Sequence, residues 1–193
     1  FLPSYPPINQ DLNSAIFHKT EMYDKKLPKG YDLTDGKQGE SLAHQEIIAR
    51  FMSSHTMYDE LLLFHAPGTG KTCLAVGTIE KVIHENNGIN KAIIILSPAL
   101  LREFVSQILF RCTDGRYLPE LDEDEQNLPF HEREKIQYRR ANRDKSKFHS
   151  VYRVYTREMF YKNVLRTTTD ENLKKRFSNS VIVLDEVHNL SGS

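Results

Sequence analysis

The stretch Leu61-Leu62-Leu63-Phe64-His65-Ala66-Pro67-Gly68-Thr69-Gly70-Lys71-Thr72 decides how this chain is read. A short apolar run, a glycine-bearing turn and then a helical pattern from Lys71 to Glu85 follow one another without a break. That order is the setting in which G-K-T binds phosphate. Gly68 and Gly70 let the backbone turn tightly and aim N–H groups inward, and the start of the following helix adds its positive dipole end. Lys71 reaches the β- and γ-phosphates, and the Thr72 hydroxyl suits Mg²⁺. One position departs from the full G-x-x-x-x-G-K-T pattern, because His65 stands where the first glycine belongs. A structural role for His65, packed under the loop, is the simpler reading.

The apolar run from Glu60 to His65 has the length of a buried strand. Further runs of this kind are Lys91-Ala-Ile-Ile-Ile-Leu96, Val151-Tyr-Arg-Val-Tyr155 and Val181-Ile-Val-Leu-Asp185. They are separated by helical patterns at Ala99–Phe110, Arg157–Leu165 and Glu171–Phe177. Short apolar strands alternating with helices predict an α/β fold, a mostly parallel sheet with helices on both faces. Upstream, Ser41 is an expected N-cap for a helix carrying Leu42, Ile47, Ile48 and Phe51 on one stripe.

The fourth run ends at Asp185-Glu186-Val187-His188. A buried strand that stops at two carboxylates puts them at the carboxyl edge of the sheet, where ligands bind in open α/β folds. The phosphate loop is expected to emerge at that edge too. Asp185 then serves the Mg²⁺ shell, Glu186 acts as general base on the attacking water, and His188 couples nucleotide state to a neighbouring element.

Composition bounds the rest. The 193 residues suit one domain, or one domain with a tail, and 39% hydrophobic residues can form a core. With 26 Lys+Arg against 26 Asp+Glu, a polycationic nucleic-acid coat is excluded, and any nucleic-acid contact must use local patches. Two cysteines, Cys73 and Cys112, cannot make a four-ligand zinc site or a disulfide scaffold, and suggest a reducing, intracellular compartment. No apolar run approaches the roughly 18–20 residues that span a bilayer, so no membrane partner is expected. The chain opens at Phe1 and stops just after the acidic motif, which reads as a piece of something larger. Residues 1–40, with Pro3, Pro6, Pro7 and Pro28, read as an irregular N-terminal arm with room for one helix over 12–26, and 41–193 as one lobe. Within that lobe, residues 113–150 carry nine acidic and eight basic residues. They read as a charged insertion, part helix and part loop, that adds little to the core.

Gly68-Thr-Gly-Lys-Thr72 together with Asp185-Glu-Val-His188 resembles motifs I and II of superfamily 2 helicases and translocases. Ala43-His44-Gln45, the Leu61–His65 run and Val183-Leu-Asp-Glu-Val-His-Asn-Leu190 narrow the likeness to helicase-like ATPases of large cytoplasmic DNA viruses. Those include the poxvirus early transcription factor small subunit and nucleoside triphosphate phosphohydrolase I, and asfarvirus and giant-virus helicases. The resemblance covers about residues 41–190. It implies the first RecA-like P-loop lobe of a DNA-dependent ATPase in early transcription or genome handling, with ATP and Mg²⁺ as cofactors. It implies ATP contacts from Gln45, which would read adenine, and from Pro67, Gly68, Thr69, Gly70, Lys71 and Thr72. It places a nucleic-acid backbone at Ser97 and Pro98 after the second apolar run, and at Thr156 and Arg157 after the third. The partner strand is DNA in preference to RNA, and a viral RNA polymerase or another transcription-factor subunit is a candidate protein partner. Location in the virion and host-cell cytoplasm follows from the same likeness. Superfamily 2 motors also carry a Ser-Ala-Thr motif and a second lobe with arginine fingers, neither found here, so this chain alone is expected to be inactive. Two rivals remain: an AAA+ ATPase, and a non-catalytic transcription-factor or scaffold subunit that keeps ATP as a clasp.

Overall fold

The computed structural model describes residues 43–52, 59–64, 70–85, 88–143 and 145–187. The expected N-terminal arm, its helix over 12–26 and the Ser41 cap lie outside the described residues. The chain divides into two compact units, 1–87 and 88–193.

In the first unit, helix α1 (Ala43–Phe51) packs on helix α2 (Lys71–His84). Gln45 and Ala49, one turn apart on α1, are buried. Leu74, Val76, Ile79 and Val82 form the buried stripe of α2. Val76, Ile79 and Val82 recur at three-residue steps along one helix face, and Leu74 widens that face.

The expected strand at Glu60–His65 is not formed: residues 59–64 belong to no strand. Leu62 is 78% and Phe64 98% exposed. Apolar composition favours a strand only when a neighbouring backbone completes the ladder.

The second unit is built on three parallel strands, β1 (Lys91–Leu96), β2 (Tyr152–Thr156) and β3 (Ser180–Leu184), in the order β2-β1-β3. Each matches an apolar run of the sequence. The register pairs Ile94 with Val154 and with Val183. The chain steps from β1 to β2 on one side, then crosses back past β1 to β3. Right-handed crossovers in opposite directions put the two connections on opposite faces, which gives the layered α/β architecture of a RecA-like domain.

The first connection runs through a 3₁₀ turn (Pro98–Leu100), α3 (Leu101–Gln107), a π-helical turn (Ile108–Cys112), α4 (Glu123–Gln126), α5 (Phe130–Ala141) and α6 (Lys147–Val151). The second holds α7 (Arg157–Phe160), a π-helical turn (Tyr161–Leu165) and α8 (Asp170–Phe177). On one sheet face Ala92, Ile94, Leu96 and Tyr152 are fully buried. On the other, Ile93 and Ile95 are covered, whereas Ile182 on β3 stays 49% exposed.

The segment 113–150 departs from expectation in two ways. It contributes to the core: Tyr117, Ala141 and Phe148 are buried. The Phe148 ring stacks on Tyr152 with centroids 5.4 Å apart, and Tyr117 meets Tyr152 edge-on at 5.3 Å. Some of its charges are also paired within the segment. Arg140 reaches Glu125 at 2.9 Å and Asp122 at 3.3 Å, and donates to the Glu120 carbonyl. Asp122 and Glu125 form a reciprocal capping box at the start of α4. The acidic and basic clusters therefore fold onto each other.

Candidate nucleotide and nucleic-acid site

In the first unit, Gly70 stands in the left-handed region (φ 76°, ψ 26°) immediately before α2. This φ suits glycine, since a β-carbon would crowd the backbone there. The Gly70 carbonyl opens the helix by accepting from Leu74 N at 3.0 Å. Lys71 and Thr72 are thereby the first two residues of α2, both partly exposed. At this end the orphan backbone N–H groups and the positive end of the helix dipole favour an anion. A P-loop needs this arrangement of donors for phosphates, with a hydroxyl for Mg²⁺, and the described part fits it. Pro67, Gly68 and Thr69 lie outside the described residues, as does His65.

Gln45 is no solvated helix residue. It is 8% exposed, and its Nε2 donates to the Gly70 carbonyl at 3.4 Å. A β-carbon on Gly70 would come within 3.1 Å of that same Nε2. The structure thus places the expected adenine reader against the last glycine of the phosphate loop, with its amide turned to the loop backbone.

The second unit gathers the other candidates at the carboxyl edge of its sheet. Leu96 and Thr156 are register partners, so the residues after β1 (Ser97, Pro98) and after β2 (Arg157) leave the sheet side by side. The ladder continues one residue beyond β3, where Asp185 N donates to the Ile95 carbonyl at 2.9 Å. Asp185 and Glu186 therefore emerge at the same edge as the other two loops. Ser97 is extended (φ −72°, ψ 149°) and its carbonyl accepts from Leu100 N, which starts the 3₁₀ turn with Pro98 in its first position. Pro98 is exposed.

Two candidates have local partners that sequence reasoning missed. Thr156 is buried, and its Oγ1 accepts from Met159 N at 3.2 Å as the N-cap of α7. A Thr before a short helical pattern was the available signal for that cap. Arg157 donates from Nη2 to the Glu186 carbonyl at 3.0 Å. No sequence signal announces that bond, because the partners are 29 residues apart. Within the acidic motif, Glu186 N donates to Asp185 Oδ1 at 3.0 Å, and Glu186 itself has φ 54°. His188 lies outside the described residues. Among the described residues no cluster of three or more His, Cys, Asp or Glu side chains forms a metal cage. No helix among the described residues is long and apolar enough to cross a membrane.

Residues 39–193 match the family model described as type III restriction enzyme, res subunit (ResIII). The chain is 38% identical over 155 residues to a candidate helicase, 009L, of Frog virus 3 (isolate Goorha), covering 78% of this chain and 15% of that protein. It is 34% identical over 208 residues to a candidate helicase, 087L, of Invertebrate iridescent virus 3, covering 98% of this chain and 19% of the relative. A candidate ATP-dependent RNA helicase, L377, of Acanthamoeba polyphaga mimivirus is 25% identical over 231 residues, covering 98% and 20%. The chain thus spans a fifth or less of the length of these relatives. No solved structure matches it.

Proposed function

The chain belongs to the ResIII family of helicase-like ATPases, and on that premise we propose that it is the ATP-binding first lobe of a viral superfamily 2 motor that moves on nucleic acid. The observation that carries the reading is the carboxyl edge of the sheet. Three successive strands there deliver a serine-proline turn, an arginine and a pair of carboxylates to adjacent positions. In an open α/β sheet this edge is where ligands are handled.

Lys71 and Thr72 would hold the β- and γ-phosphates and Mg²⁺. Bound Mg²⁺ supplies charge neutralisation on the transferring phosphate. Asp185 belongs to its shell, and Glu186 takes the proton from the attacking water. Gln45 reads the base, and His188 passes on the nucleotide state. Ser97 would offer its hydroxyl and backbone N–H to a strand phosphate, with Pro98, which has no N–H, fixing the turn, the kind of contact that positions a strand without reading its sequence. Hydrolysis in this reading needs arginines from a second lobe, worth roughly 10³–10⁵ in rate. It therefore belongs to the longer protein rather than to these 193 residues. A role in early transcription or genome handling, with DNA as the track, follows from the likeness to motors of large DNA viruses.

Glu186→Gln in the full-length protein tests the assignment. The amide keeps the size of the carboxylate but cannot take the proton, so turnover should fall by about 10²–10⁴. ATP affinity should hold or tighten, because a negative charge beside the γ-phosphate is gone. Asp185→Asn should instead weaken the Mg²⁺ dependence. Turnover at the parent rate in Glu186→Gln would overturn the reading.

A further inference from the structure

Among the described residues, four that are not glycine have positive φ: Asp114, Lys145, Asn179 and Glu186. Asp and Asn tolerate this region because a short polar side chain can bond the local backbone. Glu lacks that local compensation, and such a conformation persists only where its surroundings impose it. At Glu186 the surroundings are visible. Its N–H is held by Asp185 Oδ1 at 3.0 Å, and its carbonyl is held by the Arg157 guanidinium at 3.0 Å. The residue is fixed at both ends, once by its own motif and once from the loop after β2. Arg157 starts α7, which the buried and bonded Thr156 caps, so the root of the guanidinium is itself fixed.

We propose that Arg157 is a positioning residue for Glu186: it holds the Glu186 peptide in its left-handed turn and so sets where the carboxylate stands. This rests on the reading of Glu186 as the general base. It differs from the phosphate contact that the sequence suggests for Arg157. The backbone direction at Glu186 sets where its Cβ, and hence its carboxylate, points. A charged donor on a carbonyl is among the stronger hydrogen bonds available to impose that direction. The bond also ties the loop after β2, a candidate strand-binding loop, to the catalytic carboxylate by one side chain.

The test is steady-state kinetics on the full-length protein with saturating nucleic acid, for Arg157→Ala, Arg157→Lys, Glu186→Gln and the Arg157→Ala/Glu186→Gln pair. A positioning role predicts that Arg157→Ala lowers kcat by about tenfold or more, with the half-saturating concentrations of ATP and nucleic acid changed less than about threefold. Arg157→Lys, which keeps a charged donor, should recover part of the loss. On the Glu186→Gln background, Arg157→Ala should change the residual turnover less than about twofold, because the group it positions is gone. An unchanged kcat with weakened nucleic-acid binding would overturn the proposal in favour of a phosphate contact. An equal loss on both backgrounds, with no recovery in Arg157→Lys, would overturn it in favour of a purely structural role. If Glu186→Gln itself turns over at the parent rate, the acidic-motif reading falls and takes this one with it. If Glu186→Gln is inactive while Arg157→Ala keeps its kcat, only the positioning role fails.

Discussion

Phe148→Ala should cost this chain several kcal/mol, although Phe148 lies in the most highly charged stretch of the sequence. The ring is 1% exposed. It stacks on Tyr152 at 5.4 Å with planes 17° apart, and meets Tyr117 edge-on at 6.5 Å. Removing a buried phenyl ring loses its transfer free energy and leaves a cavity, together about 3–5 kcal/mol. The two aromatic neighbours cannot close the gap without abandoning their own contacts. A domain's whole stability is about 5–15 kcal/mol, so the variant should be at the margin of folding. Urea unfolding followed by circular dichroism reads this directly. With a slope of about 2 kcal/mol per molar, the midpoint should fall by about 2 M. Phe130→Ala is the matched control, because Phe130 is in the same segment and 66% exposed, and it should stay within about 0.5 kcal/mol of the parent. If Phe148→Ala is as mild as Phe130→Ala, the segment is a solvated insertion and the packing argument is wrong.

Gly70→Ala should weaken nucleotide binding by roughly tenfold, since a β-carbon at φ 76° costs about 1–2 kcal/mol and displaces the start of α2. Titration with a fluorescent ATP analogue checks it, and parent affinity would show that the left-handed turn is dispensable. Tyr138 has its phenol pushed above the ordinary value by burial, against the opposing pull of Arg102. Its contribution to stability is therefore complete below the unfolded value of 10.0 and is lost as pH rises from there through the raised folded value. Tyr138→Phe should melt with a shallower loss than the parent over the alkaline range, and identical slopes would refute the burial argument.

The strands of the second unit were legible because each is a continuous apolar run, Ile93 to Leu96 above all, and a strand buried on both faces demands such a run. Helix α2 was legible because Gly70 and Lys71 mark its start and an apolar stripe continues from there. Leu61 to Phe64 looked the same as the other runs. Composition cannot say whether a neighbouring backbone completes the ladder. The core role of Phe148 was hidden because one aromatic among lysines, arginines and acids carries no periodicity. Only the fold brings it beside Tyr117 and Tyr152. The site divides in the same way. The residue types of the phosphate loop and acidic motif could be read in order, since their chemistry is local. The bonds from Gln45 to Gly70 and from Arg157 to Glu186 depend on tertiary approach, which spacing does not encode.

The central claim is that the turn from Gly68 to Thr72 binds a nucleotide through Lys71. Lys71 is a partly exposed residue at the start of α2, so Lys71→Ala removes a charge and little packing. Equilibrium titration of Mg·ATP analogue into the parent and the variant, with circular dichroism to confirm equal folding, measures this. The account predicts saturable binding by the parent and a loss of at least about a hundredfold, near 2.7 kcal/mol, in the variant. Equal affinity in two equally folded proteins would contradict it.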